Sequence, residues 1–215
     1  MRASWIETLK VIGWDVDGTL YQADSALSQE IDRLKIARVA EKLGCSIRKA
    51  TEQFQQMLTK LKSNTKTLDA LGIDGQAFFI SVWDEIDLSQ HIHPNPTLVQ
   101  AFLHEKRYKF AILSNSNTPA QVERKLQLIG LAPAMFSKIL TSTDIGANKP
   151  DPQAFLAFVA CVGAQAKEIL YVGDREDVDI IPAHKLGLRT GIVYGKSEIV
   201  DISAHDPVDL LTKLR

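Results

Sequence analysis

The sequence predicts an α/β fold, a three-layer core built on a parallel sheet, with an all-helical module inserted after the first strand. Three observations carry this. Short apolar runs recur at residues 10–14, 109–113, 138–141, 169–172 and 190–194, and most are continuously apolar, as in strands covered on both faces, rather than alternating. The segments between the later runs have helical periodicity, with Val122, Leu126 and Ile129 at i, i+4, i+7 and Phe155, Phe158, Val159 and Val162 at i, i+3, i+4, i+7. Strand and helix then alternate as in a doubly wound sheet, whereas residues 21–92 offer no strand.

Taken in order, the first run, Val11-Ile12-Gly13-Trp14, breaks into Asp15-Val16-Asp17-Gly18-Thr19-Leu20. An apolar strand ending in carboxylates puts negative charge at the C-terminal edge of the sheet, where open α/β sheets bind ligands. Two buried carboxylates this close require a cation or a shared proton. Residues 27–43, 47–61, a short piece near 67–71 and 76–86 read as helices, and polar faces such as Glu52, Gln53, Gln55 and Gln56 suit a small bundle. Three later helices start with one device, a capping residue followed by proline: Asn95-Pro96, Thr118-Pro119 and Asp151-Pro152. Thr118 and Gln121 have the spacing of a capping box, and Gly130 and Gly187 fall where helices should stop. The expected organisation is a core of residues 1–20 and 93–215 with a helical cap of residues 21–92.

The 215 residues suffice for a large domain plus a smaller one. Lys plus Arg number 25 and Asp plus Glu 26, a net charge of −1, with no excess to favour a nucleic acid polymer or an anionic membrane. No apolar run approaches the roughly 20 residues that span a bilayer, and Met1-Arg2-Ala3-Ser4-Trp5 does not open a signal peptide. Two cysteines suit a reducing compartment, so a soluble cytoplasmic protein is expected. Cys161 reads as a small core residue on an apolar helical face, and Cys45 follows a glycine at a helix end. Nothing in the chain indicates an oligomeric state.

Four polar sites close four predicted strands or the loops after them: Asp15 to Thr19, Ser114-Asn115, Lys149-Pro150, and Gly173-Asp174 with Asp177 and Asp179. Parallel strands would bring all four to one edge. A hard divalent cation such as Mg²⁺ takes oxygen ligands, which Asp15 and Asp174 could supply. Asp15 could attack phosphorus and form an aspartyl-phosphate. Asp17 could protonate the leaving oxygen and then activate water, which calls for a pKa above the usual value of about 3.9. Lys149 would balance phosphoryl charge and Ser114 would hydrogen-bond its oxygens, as would backbone N–H groups around Asp17, Gly18, Thr19 and Asn115. Tyr21 is a candidate for the cleft wall, and Trp14 for core packing beside the site. Trp83 reads as packing within the bundle, and His91 and His93 as a polar stretch at the domain junction with no third ligand nearby.

These four ordered motifs resemble those of the haloacid dehalogenase superfamily of phosphohydrolases over roughly residues 8–20 and 93–195. The resemblance implies a Rossmann-like core with Asp15 as nucleophile and Asp17 as general acid/base. It also implies Mg²⁺ held by Asp15, the Asp17 carbonyl and Asp174, with Asp179 close behind, and residues 21–92 as a cap that selects substrate. Arg175 and Val178 depart from the family's fourth motif, and Asp177 is an extra carboxylate. The stretch Leu88-Ser89-Gln90-His91-Ile92-His93-Pro94-Asn95-Pro96 is similar to pyrimidine 5′-nucleotidase-like members, and phosphoglycolate phosphatase-like members share the same features. The implied partner is a small phosphorylated metabolite such as a nucleoside monophosphate or phosphoglycolate. A phosphosugar mutase and a non-catalytic regulatory module are alternatives. So is a dehalogenase, although Asp17 argues against it.

Overall fold

The structure, a computed structural model, describes residues 3–22, 25–61, 63–116 and 118–215. The chain divides into two compact units, Met1–Gln22 with Ile92–Arg215, and Ala23–His91.

The first unit is built on a six-stranded sheet of strands β1 (Val11–Trp14), β2 (Lys109–Ser114), β3 (Phe136–Thr141), β4 (Ile169–Gly173), β5 (Arg189–Val193) and β6 (Ile202–Ala204), in the order β3-β2-β1-β4-β5-β6. All neighbours are parallel, with Ile12 aligned to Phe110 on one side and to Leu170 on the other. Strand order reverses at β1, so the crevice beyond the C-terminal ends of β1 and β4 is the topological switch point, the usual ligand site of such sheets.

The side chains of β1 divide between two layers. Val11 packs with Ala111, Leu113, Phe155, Phe158, Tyr171 and Ala183, while Trp14 meets Phe102, which stacks on Phe110 and Phe136. Gly13 is needed because a Cβ there would lie 2.6 Å from Phe158. Burying such rings contributes about 2–3 kcal/mol each before entropy is counted.

Among the described residues ten α-helices are numbered in order; α1 (Ser25–Leu43), α2 (Ile47–Leu61), α3 (Asn64–Ala70) and α4 (Gly75–Glu85) form the second unit, and the first holds α5 (Pro96–His104), α6 (Pro119–Ile129), the single turn α7 (Ser142–Ile145), α8 (Pro152–Val162), α9 (Ile181–Lys185) and α10 (Pro207–Leu214). The Asx and Thr caps form as expected: Asn95, Thr118 and Asp151 accept from the backbone N–H groups of Leu98, Gln121 and Gln153. Gly130, at φ +95°, ends α6.

The second unit has no strand among its described residues. Its interior holds Leu27, Val39, Phe54, Leu68, Phe78, Val82 and Ile86. Lys35 is buried there, its Nζ 2.5 Å from Asp32, 3.2 Å from Asn64 and 4.9 Å above the Phe54 ring. Trp83 is half-buried on α4, and His91 Nε2 lies 3.2 Å from Glu30.

Three readings of the sequence need correction. β6 was not expected, because Ile202-Ser203-Ala204 is too short and mixed to register as an apolar run. Tyr194 lies outside β5, in the left-handed region at φ 58°. Cys161 is exposed rather than in the core. The buried stripe on α8 runs through Ala154, Phe155 and Phe158 and fades at Val159 and Val162, so in the last turn periodicity no longer reports burial. Among the described residues no helix is long and apolar enough to cross a membrane.

Candidate active site

The ladder between β1 and β4 runs one residue past the strand: Asp15 N donates to Val172 O at 2.9 Å. This pins Asp15 at the sheet edge with its side chain buried. The chain then turns tightly, Thr19 N and Leu20 N both donating to Val16 O. Gly18 takes φ +89°, and a Cβ on it would lie 2.5 Å from Asp174 Oδ2. Glycine is therefore required twice, for the backbone angle and for the close approach of the carboxylate that follows β4.

Asp15, Asp174 and Asp179 offer carboxylate oxygens that all lie within 4.8 Å of one another. Thr19 Oγ1 donates to Asp15 Oδ2 at 3.2 Å and lies 3.4 Å from Asp174 Oδ1. Asp179 comes from a π-helical turn, Glu176–Ile180, that follows β4. It accepts from Arg175 N at 3.2 Å. Asp177, by contrast, points outward and pairs with Arg175 on the surface, so of the two uncertain carboxylates only Asp179 joins the site.

Lys149 reaches into this cluster although Lys-Pro pairs usually mark surface loops. Its buried Nζ donates to Asp15 Oδ1 at 2.7 Å, Asp179 Oδ1 at 2.6 Å and the Tyr171 hydroxyl at 2.8 Å, and Tyr171 donates onward to Leu113 O at 2.9 Å. Asn115 fixes the lysine's backbone: its Nδ2 donates to Lys149 O at 2.9 Å and its Oδ1 accepts from Lys149 N at 2.8 Å. The Asn115 side chain thus ties the β2 turn to the Lys149-Pro150 loop. Ser114, expected as a donor to phosphate, is buried, and its Oγ accepts from Ser116 N at 3.0 Å.

Asp17 has a separate set of partners. Lys125 Nζ lies 2.8 Å from both of its carboxylate oxygens, Ser116 Oγ donates to Oδ2 at 3.1 Å, and the Tyr21 hydroxyl donates to Oδ1. Tyr21 therefore contacts the general acid/base candidate directly. Lys125, Ser116 and Tyr171 were missed in the sequence. The signal for Lys125 was present: a lysine stands on the apolar stripe of α6 between Val122 and Leu126.

The electrostatics divide the two aspartates. Burial pushes the Asp15 carboxyl up to about 6; Lys149 opposes the shift, while the Asp179 charge adds to it. Burial followed by the Asp15 charge also raises Asp174. Burial would raise Asp17 too, but the Lys125 charge and hydrogen bonds from Lys125, Tyr21 and Ser116 outweigh it, so its carboxyl is held below the ordinary value. An acid/base role predicts a raised pKa on Asp17, whereas the raised value belongs to Asp15 and Asp17 is lowered. Lys149 is desolvated, yet the Asp15 and Asp179 charges raise it well above the ordinary lysine range.

Three crowded carboxylates, two of them (Asp15 and Asp174) with raised pKa, offer the oxygen ligands that a hard divalent cation such as Mg²⁺ takes. Gly18→Ala is expected to displace Asp174 and weaken cation binding by at least about tenfold, with strain of about 1–2 kcal/mol at positive φ. Titration calorimetry with Mg²⁺ checks this; wild-type affinity in the variant would refute the close-packing argument.

A parallel six-stranded sheet in this order, with an acidic edge at its switch point, is the architecture of a Rossmann-like hydrolase. The chain belongs to the haloacid dehalogenase-like hydrolase family, which it matches over residues 9–187. It is 28% identical over 197 residues to a glyceraldehyde 3-phosphate phosphatase of Methanopyrus kandleri, covering 85% of this chain and 82% of that one. It is 26% identical over 212 residues to a phosphoglycolate phosphatase of Haemophilus influenzae, covering 92% of each. Among solved structures, a HAD phosphatase from Thermococcus onnurineus superposes with a TM-score of 0.70 at 22% identity over 96% of both chains. A 2-haloacid dehalogenase from Pseudomonas syringae does so with a TM-score of 0.62 at 21% identity, over 96% of this chain and 97% of that one. At such identities the two structures bear on the fold alone.

Proposed function

We propose that this hydrolase is a Mg²⁺-dependent phosphatase that cleaves a small phosphomonoester through an aspartyl-phosphate on Asp15. The observation that carries the reading is the setting of Asp15, with Lys149 on one oxygen, Thr19 on the other and two further carboxylates beside it. Asp15, Asp174, Asp179 and the Asp17 carbonyl would hold the cation, which supplies charge neutralisation to the phosphoryl oxygens. Asp15 attacks phosphorus as the bond to the leaving oxygen breaks. Lys149 keeps Asp15 oriented and offsets phosphoryl charge. Ser114 and the N–H groups of Gly18 and Asn115 frame the phosphate pocket, and Thr19, whose own N–H is engaged by Val16 O, and Tyr21 border it.

Asp17 completes both halves, giving a proton to the leaving oxygen and taking one from the water that hydrolyses the aspartyl-phosphate. In the resting site it is held as a carboxylate. An arriving phosphate dianion favours its protonated form by charge repulsion. This role separates the phosphatase reading from dehalogenation, which needs no leaving-group acid.

The substrate class follows from the relatives, named for phosphoglycolate and glyceraldehyde 3-phosphate, and a phosphorylated metabolite of two or three carbons leads, with nucleoside monophosphates behind it. The helical unit serves as the cap that selects it, and the cytoplasm is the proposed compartment, consistent with two free cysteines. A phosphate-release screen over phosphoglycolate, glyceraldehyde 3-phosphate, sugar phosphates and nucleoside monophosphates tests the reading. Release is expected only with Mg²⁺ and is lost on chelation; activity that survives exhaustive chelation refutes the metal requirement. Asp17→Asn is expected to lower the rate by about 10²–10⁴, and an effect below about threefold would remove it from the acid/base role. Isomerised phosphoester with little free phosphate would mark a mutase instead.

A further inference from the structure

We infer that Lys125 is a positioning residue for the Asp17 carboxyl, an inference that rests on the phosphatase reading above. The two aspartates of the first motif each have a lysine of their own, from different elements. Lys149 serves Asp15, and Lys125, from the middle of α6, serves Asp17. Helix packing does not call for a charge at this position. The buried face of α6 consists of Val122, Leu126 and Ile129 around Gln121 and Lys125, and a Leu or Met would fill the same space. A fully buried ammonium is costly unless a carboxylate compensates it, so the lysine is explained by what it holds.

The hold is specific in geometry. Nζ lies 2.8 Å from each Asp17 oxygen and donates to Ser116 Oγ at 2.9 Å, while Ser116 itself donates to Oδ2 at 3.1 Å. Tyr21 anchors Oδ1. Both oxygens are thus fixed from the buried side, and rotation of the carboxyl is blocked. The side chain is still 35% exposed, which leaves part of the carboxyl open to a leaving oxygen or a water. In the first step the Asp15–phosphorus bond forms, the bond from phosphorus to the leaving oxygen breaks, and the Asp17 proton goes to that oxygen. In the second, Asp17 takes a proton from water as its oxygen bonds to phosphorus and Asp15 is released. A loosened Asp17 harms both proton transfers and leaves the attack by Asp15 intact.

Leaving-group dependence tests this, because the aryl oxide of an aryl phosphate departs without a proton and the alkoxide of an alkyl phosphate does not. For Lys125→Met, kcat/KM on an alkyl phosphomonoester is expected to fall about 10²-fold, and on p-nitrophenyl phosphate by less than about threefold. On the aryl ester kcat and KM should fall together, since hydrolysis of the aspartyl-phosphate still needs Asp17. Equal losses on both esters in a folded variant, or no loss on either, would overturn the assignment. If Lys125→Met does not fold, Ser116→Ala should show the same pattern with a loss of about tenfold on the alkyl ester, and an even loss there would overturn it as well. Wild-type protein that releases phosphate from neither ester refutes the phosphatase reading itself, and the positioning role falls with it. A failure confined to Lys125 instead leaves wild-type turnover intact and still abolished by Asp15→Asn.

Discussion

Asp15→Asn is expected to reduce phosphate release by at least about 10⁴-fold without unfolding the protein. The side chain is buried at the end of β1, where Asp15 N continues the ladder to Val172 O, and an asparagine keeps both the shape and the backbone bond. Its amide oxygen can still accept from Lys149. What it lacks is a nucleophilic oxygen. The cluster holds three carboxylates, Asp15, Asp174 and Asp179, against the single ammonium of Lys149. Removing one negative charge relieves repulsion in a low-dielectric site. Without divalent cation the variant should therefore melt at or above the wild-type temperature, and its stabilisation by added Mg²⁺ should shrink. A folded Asp15→Asn protein that turns over near the wild-type rate would disprove the covalent mechanism. A variant that is inactive because it melts well below wild type would disprove the charge argument.

The sequence showed most clearly the features that depend on local patterning. Continuous apolar runs marked β1, β2, β4 and β5 because these strands are largely covered on both faces, while β3, buried only at Phe136, Leu140 and Thr141, was marked by its C-terminal half. The Asn95, Thr118 and Asp151 caps were legible because the cap and the following proline act within one turn. The four motifs could be assembled into one site once the strands were parallel. What escaped was set by three-dimensional pairing. Nothing near Asp17 in sequence announces Lys125, 108 residues away, and without Lys125 the expected pKa shift had the wrong sign. Asn115 was read as a phosphate contact through its backbone N–H, and nothing local announced the second task of its side-chain amide, which ties down the Lys149 backbone. Tyr171 lay hidden in an apolar strand because its ring is core while its hydroxyl bridges Lys149 and Leu113 O. Asp177 and Asp179, two residues apart, could be told apart only once the π-helical turn aimed Asp179 inward.

Lys149→Met is expected to damage stability and turnover together, and a second substitution should separate them. The ammonium lies between Asp15 and Asp179 with almost no exposure. Losing it strands two buried carboxylates beside Asp174, the situation in which breaking a buried pair costs about 3–5 kcal/mol. Adding Asp179→Asn removes one of the stranded charges, so the double variant should melt closer to wild type than Lys149→Met does. Turnover should not recover, because neither change restores a cation beside the phosphoryl group. Mg²⁺ should raise the melting temperature of Lys149→Met by more than it raises that of wild type, because the variant carries more uncompensated negative charge. Thermal melts with and without Mg²⁺, run beside phosphate release, check all three expectations. If Lys149→Met melts with wild type in chelator, the buried-charge account of this site is wrong. If the double variant regains turnover along with stability, Lys149 serves only to hold the carboxylates apart and has no part in stabilising the transferred phosphoryl group.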